Sequence, residues 1–462
     1  MAPEFQPVIL AGGEGSKMYP LTEDIPKCLL PIGNMPMIWY VVNYLERYGF
    51  QDFIVIVRQN AAQKVHQSLQ TLCAENSKFE LVQIPDDDDV GTADSLRLLK
   101  DKVKSDLIIV SCDTITDAPL NCLVDMHRTY DASLTVMMSN RVELQLDRET
   151  TAASKNKQRD PLSGIRDIVS IHPNENRLLF FQNEGDLEQE NISIKKSTLK
   201  RYPRMKLKTD LVDSHLYIMK KWLLDYLVNY EKPESIKSDF IPHVIQKQFS
   251  KPKKNNKEQI QDTSYIEEKE IKTNKSTDIY SYCCLDELTT YAREWSGYQG
   301  NCLKDTIKCH AYVTDGFSLR VNTLPAYTHM NKQIKKLKDT IAPHVEFPVL
   351  HPSVTQTGKT QVGNDCIVGE STTIAANATI KKSVIGKHCI IGSNVRISNC
   401  VVMNHVTIED GCVLQGSIIC DRSNLQTKCS LLNCQVSSGQ TVKENAELKN
   451  ESIVQEEMEF DE

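Results

Sequence analysis

The residues near the N-terminus that could do chemistry are glycines and lysines spaced to receive phosphate. An apolar stretch over residues 8–11 runs into a glycine-rich loop, and lysines follow the loop. Glycine has no Cβ, so the backbone can take unusual φ angles and a ligand can approach closely. Backbone N–H groups in such a loop point outward and, together with lysine charge, attract phosphate. The residues in question are Gly12, Gly13, Gly15, Lys17 and Lys27.

This loop matches neither of two familiar nucleotide-binding motifs. It lacks the spacing of a P-loop, and no third glycine completes a dinucleotide fingerprint after Gly13 and Gly15, because Met18 follows. An isolated loop of this composition could equally be an ordinary turn between a strand and a helix. The longer string that contains it, from Val8 to Ile38, therefore carries more information than the glycines alone.

Two more groups stand where predicted strands end. Gly91 and Thr92 precede a predicted helix, and Asp113 follows the apolar strand Leu107–Ser111. Ligands of parallel sheets bind at the carboxyl ends of the strands, so these groups and the glycine-rich loop should converge there. An aspartate at a strand end, such as Asp113, could also simply cap the next turn. Gly91 and Thr92 could simply begin a helix, and Lys27 could be a solvated lysine.

The elements around these groups predict an α/β fold. Strands that are apolar on both faces and are separated by helices indicate a parallel sheet with helices on both sides. Predicted strands cover residues 52–57, 79–84, 107–111, 133–138 and 211–219, and a hairpin covers 164–182. Predicted helices cover residues 37–48, 60–74, 92–104, 120–130, 221–229, 238–249 and 331–338.

Composition places the chain among ordinary globular proteins. Its 462 residues exceed the usual size of one domain, and its net charge of −7 gives no general attraction to nucleic acid or anionic membranes. The N-terminus lacks the parts of a secretory signal, and no apolar run is long enough to span a bilayer. Its fifteen cysteines lack the spacing of a zinc site, which favours free thiols in a reducing cytosol.

The period of the sequence changes near residue 349. Aliphatic residues then recur every six positions, with occasional shortening by one residue, which predicts a parallel β-helix of about five coils with these residues pointing inward. An ordinary β-sandwich would instead show a period of two and hairpin turns. The aliphatic positions are Val362, Val368, Ile374, Ile380, Ile385, Ile391, Ile397, Val402, Ile408, Leu414 and Ile419.

The string from Val8 to Ile38 resembles the nucleotidyltransferase fold of sugar-nucleotide pyrophosphorylases. The resemblance rests on L-A-G-G-x-G-[ST], followed by P-L-T, P-K and L-P-I. It implies a Rossmann-like nucleotidyltransferase domain over residues 1–249. The rest of the chain would be a flexible insert and transition over 250–345, a left-handed parallel β-helix of hexapeptide repeats over 346–442 and an acidic tail over 443–462.

The same resemblance implies roles for the candidate residues. Lys27 matches a lysine that faces phosphate, Gly91 and Thr92 match residues that border the nucleotide, and Asp113 matches a metal carboxylate. Lys17 stands where the pyrophosphorylases have an arginine that clamps the triphosphate, and a lysine is a point charge without the bidentate fork.

Other positions depart further from the pyrophosphorylase pattern. Cys112 replaces a glycine, and His215 replaces a glycine in the string that lines the sugar, where its ring would intrude. The sugar-phosphate lysine has no counterpart between residues 164 and 200, and Tyr291–Trp295 does not match the string that brings a second metal carboxylate. The resemblance therefore implies a degraded site with no catalytic residue, metal or cofactor, in which the candidate residues form at most a vestigial nucleotide site.

Nearly the whole chain resembles the gamma subunits of eukaryotic translation initiation factor 2B. Besides the glycine-rich start and the repeats, the resemblance rests on Leu29–Asn34, Ile84–Asp87, Gly91–Arg97 and Ser111–Asp113. The related epsilon subunit has an additional C-terminal helical domain that performs nucleotide exchange. This sequence stops soon after the repeats, which favours gamma over epsilon.

The resemblance implies a non-catalytic core subunit of a guanine nucleotide exchange factor in the cytosol. Its partners would be the other subunits of the factor 2B complex, chiefly epsilon, and its substrate would be initiation factor 2, whose GDP is exchanged for GTP. Direct contact with nucleic acid or membrane is not expected. The alternative is an active sugar-1-phosphate nucleotidyltransferase similar to mannose-1-phosphate guanylyltransferase, which the glycine-rich loop, Lys27 and Asp113 favour.

Overall fold

The computed structural model describes residues 4–74, 77–86, 90–141, 166–186, 192–250, 278–283 and 307–454. Residues 251–277 and 284–306 of the predicted insert and transition, which include the string at 291–295, and the end of the predicted tail at 455–462 lie outside these residues.

A seven-stranded sheet forms the centre of the N-terminal domain. The strands of this domain are β1 (Phe5–Leu10), β2 (Pro31–Ile32), β3 (Met35–Pro36), β4 (Asp52–Arg58), β5 (Lys78–Ile84), β6 (Asp106–Ser111), β7 (Thr114–Thr116), β8 (Leu134–Asn140), β9 (Asp167–Ile171), β10 (Leu178–Asn183), β11 (Leu211–Met219), β12 (Cys309–Thr314) and β13 (Ser318–Arg320). The order in the large sheet is β12-β8-β11-β6-β1-β4-β5, and β11 runs antiparallel to both of its neighbours. The pairs β2–β3, β7–β13 and β9–β10 form small antiparallel sheets.

Helices cover both faces of the large sheet. They are α1 (Met37–Arg47), α2 (Gln59–Leu72), α3 (Thr92–Arg97), α4 (Leu120–Thr129), α5 (Lys196–Arg201), α6 (Lys221–Asn229), α7 (Ile241–Lys247), α8 (Tyr280–Cys283), α9 (Leu324–Gln333) and α10 (Lys338–Ile341). Short 3-10 turns cover Ser16–Met18, Lys27–Leu29 and Glu184–Asp186, and a π-helical turn covers Ile236–Phe240.

Alternate residues of the central strands enter two separate cores. Val8 and Ile54 pack with α3, α6 and α7 on one face, whereas Ile9 and Val55 pack with α1, α2 and α4 on the other. Successive strand residues point to opposite faces, so a strand buried on both sides must be apolar at every position. This requirement explains the continuous aliphatic runs from which the sequence predicts a Rossmann-like sheet.

The N-terminal domain includes residues that the sequence assigns to a transition segment. β12 pairs in parallel with β8 at the edge of the large sheet, and β13 pairs with β7. α9 begins at Leu324, earlier than the helix predicted near residue 331, because the Thr323 side chain accepts a hydrogen bond from Ala326 N at 3.4 Å. These elements are short and follow a long polar stretch, so their partners cannot be identified from the local pattern.

The C-terminal residues form a parallel β-helix with three faces. Strands that share a face stack in parallel from one coil to the next, and each face contains six strands. The first face has Thr355–Gln356, Thr373–Ile374, Ile390–Ile391, Thr407–Ile408, Asn424–Leu425 and Thr441–Val442. The second has Gln361–Val362, Thr379–Lys381, Arg396–Ser398, Val413–Gln415, Ser430–Leu432 and Glu447–Lys449. The third has Ile367–Val368, Val384–Ile385, Val401–Val402, Ile418–Ile419, Gln435–Val436 and Ser452–Ile453.

The β-helix extends farther than the repeat pattern predicts. Its last coil reaches Ile453, so part of the segment expected to be an acidic tail continues the stack. Leu448 and Ile453 keep the inward positions, and both pack against the core of the β-helix. The surrounding residues are exposed and polar because they form the end of the stack, which weakens the apolar signal in the sequence.

The third face of the β-helix packs against the N-terminal domain. Its outward residues Ile367, Val384, Val401 and Ile418 are each no more than 5% exposed and share one core with residues such as Tyr327. Burial of an aliphatic side chain contributes about 1.5–3 kcal/mol, so this row is a strong attachment. Polar contacts flank it, including Asn34 Nδ2 donating to Ile385 O at 2.9 Å and a hydrogen bond from Ser437 to Glu23.

The thirteen cysteines among the described residues are free thiols, and ten are buried. Burial raises the pKa of Cys389 and Cys400 to about 11, which keeps both thiols protonated near neutral pH. In the part of the chain that the structure describes, no helix combines the length and the apolar character needed to cross a bilayer.

Candidate functional site

The glycine-rich loop follows β1 and lies against the carboxyl ends of β4 and β5. A Cβ at Gly12 would lie 2.6 Å from Ile84 Cδ1, so the loop passes very close to the end of β5. Arg58, at the end of β4, donates from Nε to Gly12 O at 3.2 Å and forms an ion pair with Glu14 at 2.9 Å. Two parallel strands therefore fix where the loop lies.

Gly13 and Gly15 differ in what the fold requires of them. Gly15 has a left-handed φ of 80°, and a Cβ there would lie 2.8 Å from Thr22 Cγ2 and 3.1 Å from Lys27 Cβ. At Gly13, no described heavy atom lies within 4 Å of where a Cβ would be. Glycine is thus needed at 15 for conformation and packing, whereas the backbone at 13 is open to an approaching ligand.

Lys17 lies apart from the other candidate charges. It is exposed on the turn Ser16–Met18. Its ammonium group makes no hydrogen bond or ion pair with any residue that the structure describes. Lys17 could meet an anion from solvent, but it shares no charge contact with Lys27 or Asp113.

Lys27 and Asp113 come together and bind each other. Lys27 Nζ donates to Asp113 Oδ2 at 2.5 Å, and the Asp113 side chain is fully buried. Arg320 completes the cluster, since its Nε lies 3.2 Å from Oδ1 and 3.1 Å from Oδ2 of Asp113. The carboxylate predicted to receive a metal ion therefore has two cationic side chains on its oxygens.

Electrostatics favour the charged form of this cluster. Burial alone would raise the pKa of Asp113, but the charges of Arg320 and Lys27 outweigh burial and hold that pKa well below its usual range. Asp113 is consequently a carboxylate near neutral pH. One carboxylate balances only one of the two cations, so the cluster retains a net positive charge.

Arg320 is the functional candidate that sequence reasoning missed. It is 207 positions from Asp113 in the chain and reaches it because β13 pairs with β7, which places Arg320 beside Thr114. Val321 N also donates to Asp113 O at 2.7 Å, so the backbone holds the two segments together. No motif surrounds Arg320. The one signal in the sequence is that Asp113 ends a buried strand with no cationic residue beside it in the chain, so a cation from another segment must approach it.

His215 fills the space beside this cluster. Its backbone has a φ of 52°, a conformation that glycine adopts more readily. Arg320 Nη1 lies 2.7 Å from His215 Nε2, and because arginine only donates, Nε2 must accept and the ring must be neutral. Burial, with the charge of Arg320, lowers the pKa of His215 well below its usual value, in agreement with this assignment. His215 and Asp213, 3.6 Å apart, are therefore not an ion pair.

A second pair of buried carboxylates lies along β11 and β9. Asp213 accepts hydrogen bonds from Tyr217 Oη at 2.5 Å and from His215 N at 3.0 Å, and burial raises its pKa. Asp167 forms an ion pair with Lys237 at 2.9 Å. Each carboxylate thus has partners within the chain. In the described residues, no group of three or more histidine, cysteine, aspartate or glutamate side chains is arranged to hold a metal ion.

Gly91 and Thr92 contact another segment of the same domain. A Cβ at Gly91 would lie 2.2 Å from Glu234 O, and that carbonyl accepts a hydrogen bond from Ala93 N at 2.8 Å. Thr92 Oγ1 accepts from Ile236 N at 2.9 Å. The residues that would border a nucleotide therefore have a packing role that accounts for their identities.

We expect Gly91→Ala to lower the free energy of unfolding by about 1–3 kcal/mol, because the added methyl group would overlap a backbone carbonyl that cannot easily move. Gly13→Ala is the matched control and should change stability by less than about 0.5 kcal/mol, since its Cβ would enter open space. Urea unfolding followed by circular dichroism measures both. Equal stability of the two variants would contradict the packing role of Gly91.

Comparison with known proteins gives two family matches on separate parts of the chain. Residues 6–145 match the family described as nucleotidyl transferase, and residues 349–448 match the family described as the EIF2B subunit epsilon LbH domain. These matches agree with the fold, which is a Rossmann-like nucleotidyltransferase domain followed by a left-handed β-helix.

Curated relatives extend the similarity over most of the chain. The translation initiation factor eIF2B subunit gamma of Dictyostelium discoideum is 28% identical over 84% of this chain and 88% of its own length. The subunit of the same name from Schizosaccharomyces pombe is 30% identical over 82% of this chain and 74% of its own length. A mannose-1-phosphate guanyltransferase of Candida albicans is also 30% identical, but over only 28% of this chain and 36% of its own length. The chain belongs to the family of translation initiation factor 2B gamma subunits.

Proposed function

We propose that this chain is a non-catalytic core subunit of the translation initiation factor 2B complex, which promotes exchange of GDP for GTP on initiation factor 2. It pairs chiefly with the epsilon subunit, contacts the other subunits and acts in the cytosol. Similarity to gamma subunits over most of the chain supports the assignment to the complex. The pairing of Asp113 with Lys27 and Arg320 is the one observation that carries the non-catalytic part of the proposal.

The paired Asp113 does not fit a divalent cation. A metal ion that activates a triphosphate needs carboxylate oxygens that are free to coordinate it. Both oxygens of Asp113 accept from cationic groups at 2.5–3.2 Å, and the cluster already has excess positive charge. A metal ion would have to displace Lys27 or Arg320 from Asp113. Both cationic side chains, which are buried or half-buried, would then lie beside the positive metal ion. The residues at this position therefore do not support a nucleotidyl transfer that depends on a metal ion at Asp113.

The first face of the β-helix suits the contact with epsilon. Its outward residues carry no charge, and the exposed aliphatic Ile390, which is 55% exposed, stands near the middle of the row. Interface cores are depleted of charged residues, whereas the second face carries Arg396 and Glu447. The outward residues of the first face are Thr355, Thr373, Ile390, Thr407, Asn424 and Thr441.

The test coexpresses this chain with the epsilon subunit and then measures copurification and the rate of GDP release from initiation factor 2. We expect a stable pair that releases GDP faster than epsilon alone. Ile390→Glu should reduce recovery of epsilon by about tenfold, because it places an unpaired charge in an interface core. Val413→Glu is the control on the second face, where the replaced residue is 43% exposed, and should leave the pair intact. A wild-type chain that neither binds epsilon nor alters GDP release would refute the proposal.

An active sugar-1-phosphate nucleotidyltransferase is the second candidate, favoured by the open backbone at Gly13 and the free charge of Lys17. The assay incubates the purified chain with mannose 1-phosphate, each nucleoside triphosphate and Mg²⁺, and detects pyrophosphate. We expect none. Release of pyrophosphate that disappears in the Asp113→Ala variant, while its circular dichroism spectrum shows that the fold is retained, would establish this candidate instead.

A further inference from the structure

One part of the N-terminal domain concentrates positive charge in a chain whose overall charge is negative. The segment over residues 195–208, here called the basic segment, includes α5 and the residues that lead to β11. It contains seven lysines and arginines and no acidic residue, in a chain with net charge −7. Its cationic residues are Lys195, Lys196, Lys200, Arg201, Arg204, Lys206 and Lys208, and all seven are exposed.

Most of these cations have no partner among the residues that the structure describes. Lys195 donates to Gln246 O, and Arg201 lies over the ring of Phe249 at 5.6 Å. The other five make no ion pair or side-chain hydrogen bond with the described residues. The nearby carboxylate of Glu175 accepts a hydrogen bond from Tyr202 Oη at 3.3 Å instead of pairing with them. The five are Lys196, Lys200, Arg204, Lys206 and Lys208.

The backbone of the basic segment is fixed by packing. Tyr202 packs edge-on against the ring of Phe249 with centroids 5.6 Å apart, and Thr198 is buried. At the other end, Lys208 and Val169 exchange two backbone hydrogen bonds of 2.7 and 2.9 Å along the edge of β9. Like charges held close together repel one another, so this arrangement costs stability unless a partner compensates for it.

Exposed aliphatic side chains accompany the charges. Leu199 and Leu207 are each 42% exposed, and Ile192 just before the segment is 40% exposed. A phosphate backbone would use the cations but not the leucines, and the one aromatic ring of the segment, Tyr202, is half-buried against Phe249, so it is not free to stack on a base. A polypeptide that carries both carboxylates and apolar side chains would use both features.

We propose that the basic segment is a docking surface for an acidic peptide segment with interspersed apolar side chains. Carboxylates of the partner would neutralise the five free cations, and its apolar side chains would cover Leu199 and Leu207. Charge complementarity of this kind raises association rates and selects partners, while apolar contact supplies affinity. This proposal does not depend on the assignment to factor 2B.

The test measures fluorescence anisotropy of a labelled peptide that alternates glutamate and leucine, with the full chain as the binding protein. We expect saturable binding that weakens as salt is raised, because exposed charges are screened over about 10 Å at 0.1 M salt. A peptide that alternates glutamate and serine should bind more weakly at equal charge. A labelled single-stranded RNA of similar charge tests the competing class of ligand.

Two variants of equal charge change make the test specific. The combined change Lys200→Glu, Arg204→Glu and Lys206→Glu should weaken peptide binding by about tenfold or more, which corresponds to about 1.4 kcal/mol or more. The matched control, Lys381→Glu, Lys428→Glu and Lys449→Glu, reverses three exposed lysines on the β-helix and should leave affinity nearly unchanged.

The double change Leu199→Ser and Leu207→Ser tests the leucines. It should weaken binding of the glutamate–leucine peptide and leave binding of the glutamate–serine peptide unchanged. Absence of binding by the wild-type chain, equal losses in the two triple variants, or tighter binding of RNA than of the peptide would each overturn the proposal. Thermal unfolding of every variant checks that the fold is retained.

Discussion

Asp113→Ala is expected to lower the free energy of unfolding by about 3–5 kcal/mol, since removing one partner of a buried ion cluster leaves uncompensated charge. In this chain the change would leave Lys27 and Arg320 beside each other, with the carboxylate that attracts both of them missing. Urea unfolding at neutral pH measures the loss. A catalytic carboxylate would behave differently, because replacing it commonly leaves stability unchanged or improves it.

A control separates the ion cluster from simple loss of packing. Replacing all three members by apolar residues, Lys27→Met, Asp113→Leu and Arg320→Met, removes the charges together and should recover much of the stability lost in Asp113→Ala. The dependence on pH has a defined sign. The folded pKa of Asp113 is depressed, so its contribution is complete above the ordinary aspartate pKa of about 4 and falls as pH decreases below that value. If the Asp113→Ala variant is as stable as the wild-type chain at neutral pH, the structural role of the cluster is refuted.

Acidification should destabilise the N-terminal domain well before aspartates protonate. His127 and His310 are no more than 3% exposed, and burial lowers the pKa of each from 6.5 to about 4. His127 Nδ1 lies 2.8 Å from Thr135 Oγ1, and His310 stacks on Tyr130 with ring centroids 4.4 Å apart, so protonation would place charge inside packed surroundings.

The sign follows from proton binding in the two states. Below about pH 6.5 the unfolded chain takes up protons at these histidines while the folded chain does not, so stability falls as pH decreases towards the folded pKa of about 4. A full shift of this size corresponds to about 3–3.5 kcal/mol for each histidine. Unfolding free energies measured across this pH range should therefore drop by several kcal/mol.

Variants attribute the acid sensitivity to particular residues. The double change His127→Gln and His310→Gln should reduce the pH dependence over this range, even if it lowers stability at neutral pH, and the part that remains comes from other buried histidines such as His215. His388→Gln with His405→Gln is the matched control, because these two histidines are exposed and stack on each other at 5.0 Å on the outside of the β-helix. A pH dependence that is unchanged in the first pair, or that is lost in the second, would contradict the assignment.

Local patterns predict the fold well where the type of each residue is determined by the burial of its own position. Ile9 and Val55 are apolar because both faces of the sheet are covered, and Ile391 recurs six residues before Ile397 because each points into the β-helix. Such periodicities depend on neighbours in sequence. β12 escapes prediction because its place at the edge of the sheet depends on β8, which lies far away in the chain.

The candidate site was predictable in composition but not in arrangement. The residues chosen for phosphate and metal chemistry include Lys27 and Asp113, and the sequence gives no sign that they bind each other. The third member, Arg320, comes from a strand of three residues with no motif around it. Whether a carboxylate is free to coordinate a metal depends on such long-range contacts, which a single sequence does not encode locally.

The outward row of the third β-helix face changes character along the stack. It reads Ile367, Val384, Val401 and Ile418, and then becomes polar at Gln435 and Ser452. The fifth and sixth coils therefore extend beyond the apolar contact between the β-helix and the N-terminal domain. The fifth coil still contacts the N-terminal domain through the hydrogen bond from Ser437 to Glu23. Because stacked repeats interact chiefly with their immediate neighbours, coils beyond the fifth can be added or removed without altering the attachment. Additional coils at the C-terminal end would thus change how far the β-helix extends from the N-terminal domain, while the packing of its third face stays constant.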